Sequence, residues 1–83
     1  MSADNGARDD LYRFFREVIH VEVPADGTDL LDEGLLDSLG LVELVFFLER
    51  QYAIELDLSE LDLAAVRTPS AILRLVADRQ RAE

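Results

Sequence analysis

The sequence predicts an all-α fold, a small antiparallel bundle of three long helices and one short helix. Apolar residues recur at helical spacing in three separate stretches, whereas the alternating segment Val21-Glu22-Val23 is too short for a strand and ends at a proline. A chain of 83 residues has room for one small hydrophobic core. We therefore interpret residues 1–83 as a single domain.

The first helix is indicated by apolar residues at positions i, i+3, i+4, i+7 and i+8. These residues are Leu11, Phe14, Phe15, Val18 and Ile19. The stripe predicts a helix that runs to about His20, with Asp4 or Asn5 as its N-cap. Residues 1–6 are small and polar, and we expect them to form a flexible tail.

A long loop follows, because Pro24 and Gly27 interrupt the helical pattern. Four leucines should pin this loop to the core: Leu30, Leu31, Leu35 and Leu36. The acidic segment that starts at Asp26 does not fit a calcium-binding EF-hand loop, because its glycine comes second rather than sixth. We therefore predict no metal site.

The second helix is predicted from Ser38 to about Tyr52, since Asp37 and Ser38 are both good N-cap residues. At about 100° per residue, one face consists of Leu41, Leu44, Val45, Leu48 and Tyr52, and this face should enter the core. The opposite face carries both charged and apolar side chains: Leu39, Val42, Glu43, Phe46 and Glu49. An apolar cluster beside an exposed serine suggests a docking surface. Alternatively, Val42 and Phe46 could pack under the loop.

The rest of the chain predicts a short helix and a final long one. Ser59 should cap a short turn over residues 59–62, after which Val66 can reach the core. Thr68 and Pro69 predict the start of the last helix, since proline at the first helical position loses no hydrogen bond.

Charge limits the possible partners. The formal net charge is −10, and residues 17–49 contain nine acidic residues and neither arginine nor lysine. Such a surface disfavours nucleic acid and anionic membranes, and favours partners with a basic docking patch, unless the acids serve only solubility. The sequence also lacks cysteine, an apolar run of membrane-spanning length and a signal-peptide pattern. We expect a cytoplasmic monomer.

Three motifs around the second helix resemble the phosphopantetheine-dependent acyl and peptidyl carrier proteins. They are Asp37-Ser38-Leu39, Val42-Glu43-Leu44 and Leu48-Glu49, and the resemblance extends over residues 11–76. The segment 31–36 is most similar to D-alanyl carriers and free-standing natural-product carriers. In fatty-acid carriers a glycine usually stands two places before the aspartate, whereas Gly34 stands three places before Asp37.

The resemblance implies that Ser38 carries a covalent 4′-phosphopantetheine arm from coenzyme A, with Asp37 as the adjacent recognition residue. The partners implied are a phosphopantetheinyl transferase, an acyl- or aminoacyl-loading enzyme, and a downstream synthase or transferase. These would bind the face that includes Glu43 and Glu49. The implied pathway is polyketide or nonribosomal peptide synthesis, with D-alanyl transfer or fatty-acid synthesis as alternatives.

The residues leave two alternatives to a carrier function. A Ser-His-Asp hydrolase would have to use Ser38 with the single histidine, His20, but no Gly-x-Ser-x-Gly elbow surrounds the serine. His20 is expected instead at a helix end, facing solvent. The second alternative is an unmodified helical interaction domain. We therefore predict a non-catalytic protein with no catalytic residues of its own.

Overall fold

The chain forms three long helices and one short 3-10 helix in a computed structural model that describes the backbone of residues 3–81 and the side chains of residues 6–81. The elements are α1 (Ala3–Glu17), α2 (Ser38–Tyr52), the 3-10 helix (Leu63–Val66) and α3 (Pro69–Arg81). The described residues contain no strand. The prediction of an all-α bundle is confirmed.

Helix α1 differs from its predicted bounds at both ends. It begins at Ala3, inside the segment expected to be a tail, so the predicted caps Asp4 and Asn5 are helical residues; Met1 and Ser2 lie outside the described residues. It ends at Glu17 rather than near His20. Past that end, Val18 is 47% exposed, so it does not belong to the buried stripe as predicted.

The core lies between the helices and takes side chains from every element. The members with the lowest exposure come from all parts of the chain: Leu11, Phe15, Leu30, Leu44, Val45, Leu48, Val66 and Ile72. Phe47, which the helical spacing placed between the two faces of α2, stacks on Phe14 with ring centroids 4.8 Å apart. Its ring therefore joins α2 to α1.

Helix α2 has the predicted bounds, and its start is fixed by a cap. Asp37 has an extended backbone and accepts a hydrogen bond from the Gly40 N–H, as an N-cap should. Ala53 ends the helix in the left-handed region, with φ of 54°. Of the predicted core face, Leu44, Val45 and Leu48 are buried. The other two members, Leu41 and Tyr52, are partly buried and pack against the core.

The short helix was predicted in the wrong place. It occupies Leu63–Val66, and its cap is Asp62 rather than Ser59. Ser59 instead donates its hydroxyl to the Asp57 carboxylate at 2.7 Å, within a turn, which removes it from a capping role. Thr68 does cap α3 as predicted, because its Oγ1 accepts from the Ala71 N–H at 3.1 Å.

Two long segments join the helices, and we call residues 18–37 the first connector and residues 53–68 the second connector. The first leads from α1 to α2 and the second leads from α2 to α3. Within residues 3–81, no helix is both long and apolar enough to cross a membrane.

Candidate functional site

Ser38 lies at the point where the first connector becomes α2, and its side chain is exposed. Within the described part of the chain, its hydroxyl takes part in no side-chain hydrogen bond. The capping role falls to Asp37, whose Oδ1 accepts from the Gly40 N–H at 2.7 Å. Ser38 is thereby left free for chemistry, at the end of α2 where unpaired N–H groups favour an anion.

Gly40 is a residue of the site that the sequence analysis missed. It is buried, and a Cβ there would lie 3.2 Å from the Asp37 Oδ1 and 3.2 Å from the Leu36 Cδ1. These distances are tighter than ordinary van der Waals contacts. Any larger residue would therefore push the cap or the end of the first connector away from α2. A glycine in the first turn of a helix, where it costs helix stability, was the available signal.

The first connector is anchored to the core at Leu30 and Leu36, which are both buried. The Leu30 carbonyl accepts from the Leu35 N–H at 2.9 Å and from the Leu36 N–H at 3.1 Å, closing the turn that precedes Asp37. The Leu30 N–H donates to the Arg67 carbonyl at 2.7 Å. The loop before Ser38 is therefore tied to the segment before α3.

Asp26 connects the first connector to both α1 and α3. Its carboxylate accepts from the Tyr12 hydroxyl at 2.6 Å and from Arg8 Nε at 3.0 Å, and its backbone carbonyl accepts from the Ser70 N–H at 3.0 Å. The hydrogen bond from Arg8, followed by that from Tyr12, lowers the pKa of Asp26. Burial and then the bond to Asp26 raise the pKa of Tyr12 to about 12.

A second ion pair holds the same connector from the other side. Arg67 Nε lies 2.7 Å from the Asp29 Oδ2, and Arg67 Nη2 lies 3.7 Å from an oxygen of Asp32. The hydrogen bond from Arg67 lowers the pKa of Asp29. Sequence spacing could not reveal either pair, since the partners lie far apart along the chain.

The expected partner face is arranged around Ser38. Leu39 is 69% exposed and Phe46 is 56% exposed, while Val42 and Glu43 are partly buried. Phe46 therefore does not pack under the loop, the alternative that the sequence left open. Within the described residues, Glu43 makes no ion pair or side-chain hydrogen bond. The binding role of this face stays a prediction.

Glu49 has an internal role that the sequence analysis did not foresee. Its Oε2 accepts from the Leu56 N–H at 2.9 Å, in a partly buried position. The carboxylate thus satisfies a backbone donor of the second connector. It is only partly available to a partner.

The acidic segment 17–49 is less negative at its surface than the sequence suggests. Arg8 and Arg67, which lie outside it, pair with Asp26 and Asp29. Arg67 also lies 3.7 Å from Asp32. Asp37 and Glu49 accept hydrogen bonds from neutral backbone N–H groups, which leaves their negative charge in place. The acids of this segment that pair with no arginine in the described chain are Glu17, Glu22, Glu33, Asp37, Glu43 and Glu49.

The fold and site define a class of protein, and comparison with known families identifies it. A family profile described as a phosphopantetheine attachment site matches residues 9–76, which include Ser38. The chain therefore belongs to this family of carrier proteins. Membership confirms the carrier resemblance. It also gives the prosthetic group, a covalently attached 4′-phosphopantetheine, as predicted.

Relatives within the family carry two kinds of name. The chain is 33% identical over 73 residues to a D-alanyl carrier protein of Bacillus pumilus, covering 86% of this chain and 94% of that relative. It is 45% identical over 64 residues to an anthracycline acyl carrier protein of Streptomyces peucetius, covering 74% of each. A D-alanyl carrier protein of Lactiplantibacillus plantarum is 42% identical over 52 residues, which span 63% of this chain and 65% of that relative.

The residues present fit a phosphopantetheine attachment point. Ser38 supplies an exposed hydroxyl, and the N-terminus of α2 supplies partial positive charge for a phosphodiester. The chain has no cysteine of its own. Among the described residues, there is no cluster of three or more carboxylates or histidines placed to hold a metal ion.

Proposed function

We propose that the protein is a cytoplasmic carrier whose arm is attached to Ser38. The observation that supports this most directly is the exposed Ser38 hydroxyl, freed from capping by Asp37. A transferase can reach such a hydroxyl without unfolding the helix. The chain acts as a substrate of its partners and catalyses no step itself.

The attachment step exchanges one phosphate ester for another. The Ser38 oxygen attacks the pantetheine-bearing phosphorus of coenzyme A, and a new Oγ–P bond forms. The bond from that phosphorus to the bridging oxygen breaks, and adenosine 3′,5′-bisphosphate leaves with the bond's electron pair. The hydroxyl proton passes to a base of the phosphopantetheinyl transferase, assisted by Mg²⁺ held there. When bound, the arm supplies a thiol that holds cargo as a thioester.

The protein's own residues then present and stabilise the modified serine. Asp37 keeps the first turn of α2 intact through its bond to Gly40. The first-turn N–H groups of α2 would favour the negative charge of a phosphodiester on Ser38. The bulky anchors Leu30 and Leu36 hold the preceding loop in place, so the site is presented on a rigid element.

Mass spectrometry tests the attachment. After incubation with coenzyme A, Mg²⁺ and a phosphopantetheinyl transferase, the chain should gain one phosphopantetheine group, and Ser38→Ala should gain none. Ser70→Ala is a matched control, because Ser70 is also an exposed serine in the first turn of a helix, α3. It should be modified fully. Modification of Ser38→Ala would indicate another attachment site. If none of several transferases modifies the wild-type protein, the protein is an unmodified interaction domain.

The two kinds of relative suggest two different pathways. Of these, we favour polyketide or nonribosomal peptide synthesis. In support, the anthracycline acyl carrier relative shares 45% identity, and Gly34 departs from the fatty-acid carrier spacing. The second candidate is D-alanyl transfer, which the relatives named D-alanyl carriers favour. Loading of the modified protein by a malonyl-coenzyme A transferase supports the first. Loading only by a D-alanine-activating ligase with ATP selects the second.

Partner enzymes should bind the face formed by Leu39, Val42, Glu43, Phe46 and Glu49. Glu43 is the residue to test, because it makes no ion pair within the described chain and lies one helical turn beyond Leu39. At low salt, Glu43→Arg should slow transferase loading several-fold by opposing a basic partner patch, with little change in Tm. Added salt should reduce the difference in loading rate between Glu43→Arg and the wild-type protein. Equal rates for both proteins at low salt would contradict this role.

A further inference from the structure

A groove of about 280 Å³ is lined by Asp37 and Leu39, the two neighbours of Ser38 in the chain. The start of the first connector, Val18–Val21, also lines it, together with Leu35 and Glu43. We propose that this groove, called here the His20 groove, binds the part of the phosphopantetheine arm nearest the protein. The proposal rests on attachment at Ser38. It places the arm against the start of the first connector rather than in solvent.

The turn after α1 creates the groove. His20 has a φ of 58°, in the left-handed region that histidine adopts more readily than most residues. The Val21 N–H then donates to the Phe15 carbonyl at 2.8 Å. This turn brings Ile19 toward the start of α2, where its Cδ1 lies 4.0 Å from the position that a Cβ on Gly40 would occupy. The groove is therefore part of the fixed fold.

The arm can reach the groove because its proposed attachment point lies between two residues that line it. Asp37 and Leu39, the two neighbours of Ser38, both line the groove. A tethered ligand has an effective concentration on the order of millimolar near its attachment point. At that concentration, even an affinity in the millimolar range leaves the groove occupied about half of the time. Weak contacts are enough.

The lining matches the chemistry of pantetheine. The arm begins with a phosphate, continues with a carbon that bears two methyl groups, and then contains two amides. Val18 and Leu39 offer exposed apolar surface, 47% and 69% respectively, for the methyl groups. His20 can donate to phosphate or amide oxygens, and the Glu43 carboxylate can accept from amide N–H groups.

The size of the groove limits what it holds. Small-molecule sites usually enclose about 300–1,000 Å³, so about 280 Å³ suits a section of the arm and not the cargo as well. A larger groove of about 630 Å³ begins at Val45 and Phe46. It lies about 10 Å further along α2 than Ser38, away from the part of the arm nearest the protein.

Nuclear magnetic resonance of the unmodified and modified protein tests the proposal. Amide shifts on modification should appear at Val18–Val21 as well as at Leu39. Nuclear Overhauser effects should connect the arm's two methyl groups with the Val18 methyl groups. If mass spectrometry finds no modification, the proposed function itself fails. If modification is complete but shifts stay within residues 37–40 and no effects reach Val18, the groove proposal alone is overturned.

A pair of variants sharpens the test. Val18→Asp places a charge on the groove wall at a half-exposed position, and should abolish the shifts at residues 19–21 on modification. Leu63→Asp is the control, because Leu63 is 51% exposed and does not line the groove. It should leave those shifts unchanged. Equal loss in both variants, or none in Val18→Asp, would contradict the proposal.

Discussion

The two connectors are held by different kinds of contact. In the first connector, Asp26 pairs with Arg8 of α1, and Asp29 pairs with Arg67 at the end of the second connector. Between residues 53 and 66, the polar side-chain contacts are local turns, such as Ser59 with Asp57, apart from the bond from the Leu56 N–H to Glu49. The first connector is therefore braced by ion pairs to two other parts of the chain, whereas the second forms ion pairs only at Arg67.

This difference follows the use of each segment. The first connector ends next to Ser38, so its position sets the position of the proposed attachment point. The second carries Glu55, Asp57 and Glu60 at the surface, and these acids contact no described arginine by ion pair. The ion pairs of the first connector hold Ser38, which follows it, in one position. The local turns of the second connector leave its acidic side chains directed to solvent.

Removal of an apolar anchor should have the largest effect on the first connector. Leu30 is fully buried, and Leu30→Ala should lower the free energy of unfolding by about 2–5 kcal/mol, because it leaves a cavity. Urea unfolding followed by circular dichroism measures this. Leu58→Ala, at an exposed position of the second connector, should change stability by less than about 0.5 kcal/mol. A comparable loss in both variants would contradict the description of Leu30 as an anchor.

The hydrogen bond that the Leu56 N–H donates to Glu49 should be the principal polar contact of residues 53–66 in the second connector. Glu49→Ala leaves the Leu56 N–H without its acceptor and should cost about 1–2 kcal/mol. Glu43→Ala, on the same helix, should cost almost nothing. Thermal unfolding of the two variants side by side provides the measurement. If the two variants have the same Tm, Glu49 acts only as a surface charge.

The ion pair of Asp26 with Arg8 should have a smaller, pH-dependent effect on the free energy of unfolding. Asp26→Asn should lower the free energy of unfolding by less than about 1 kcal/mol at neutral pH, since solvent screens a partly exposed pair. The pKa of Asp26 is lower in the folded state, so its stabilisation is fully present above the ordinary pKa of 3.8 that the group has in the unfolded chain. It disappears as pH falls through the folded-state pKa.

Unfolding midpoints measured between pH 7 and pH 3 check this brace. The difference between wild type and Asp26→Asn should shrink as the solution becomes acidic. If the difference between the two unfolding midpoints stays constant with pH, the charge of the Asp26 carboxylate does not stabilise the fold.

The structural features that the sequence predicted correctly are those encoded by residues close together in the chain. The cap at Asp37, the start of α3 at Pro69 and the exposed Ser38 all follow from short motifs. The fold class follows from apolar spacing alone. These predictions succeed because each depends on residues within a few positions of one another.

Features that depend on distant residues were missed. Arg8 meets Asp26 across 18 positions, and Arg67 meets Asp29 across 38. The turn of Ser59 with Asp57 displaced the short helix, because a serine near an aspartate can satisfy a turn instead of capping a helix. Glu49 resembled a surface charge until the second connector placed the Leu56 N–H beside it.

The backbone bonds from Leu30 to Arg67 and from Ser70 to Asp26 have a consequence for how the protein is recognised. They join the segment before Ser38, the proposed attachment serine, to the beginning of the last helix and the residues just before it. A chain whose C-terminal part has not docked therefore also lacks the ordered approach to that serine. A modifying enzyme that reads the presented helix end would thus select chains that have finished folding.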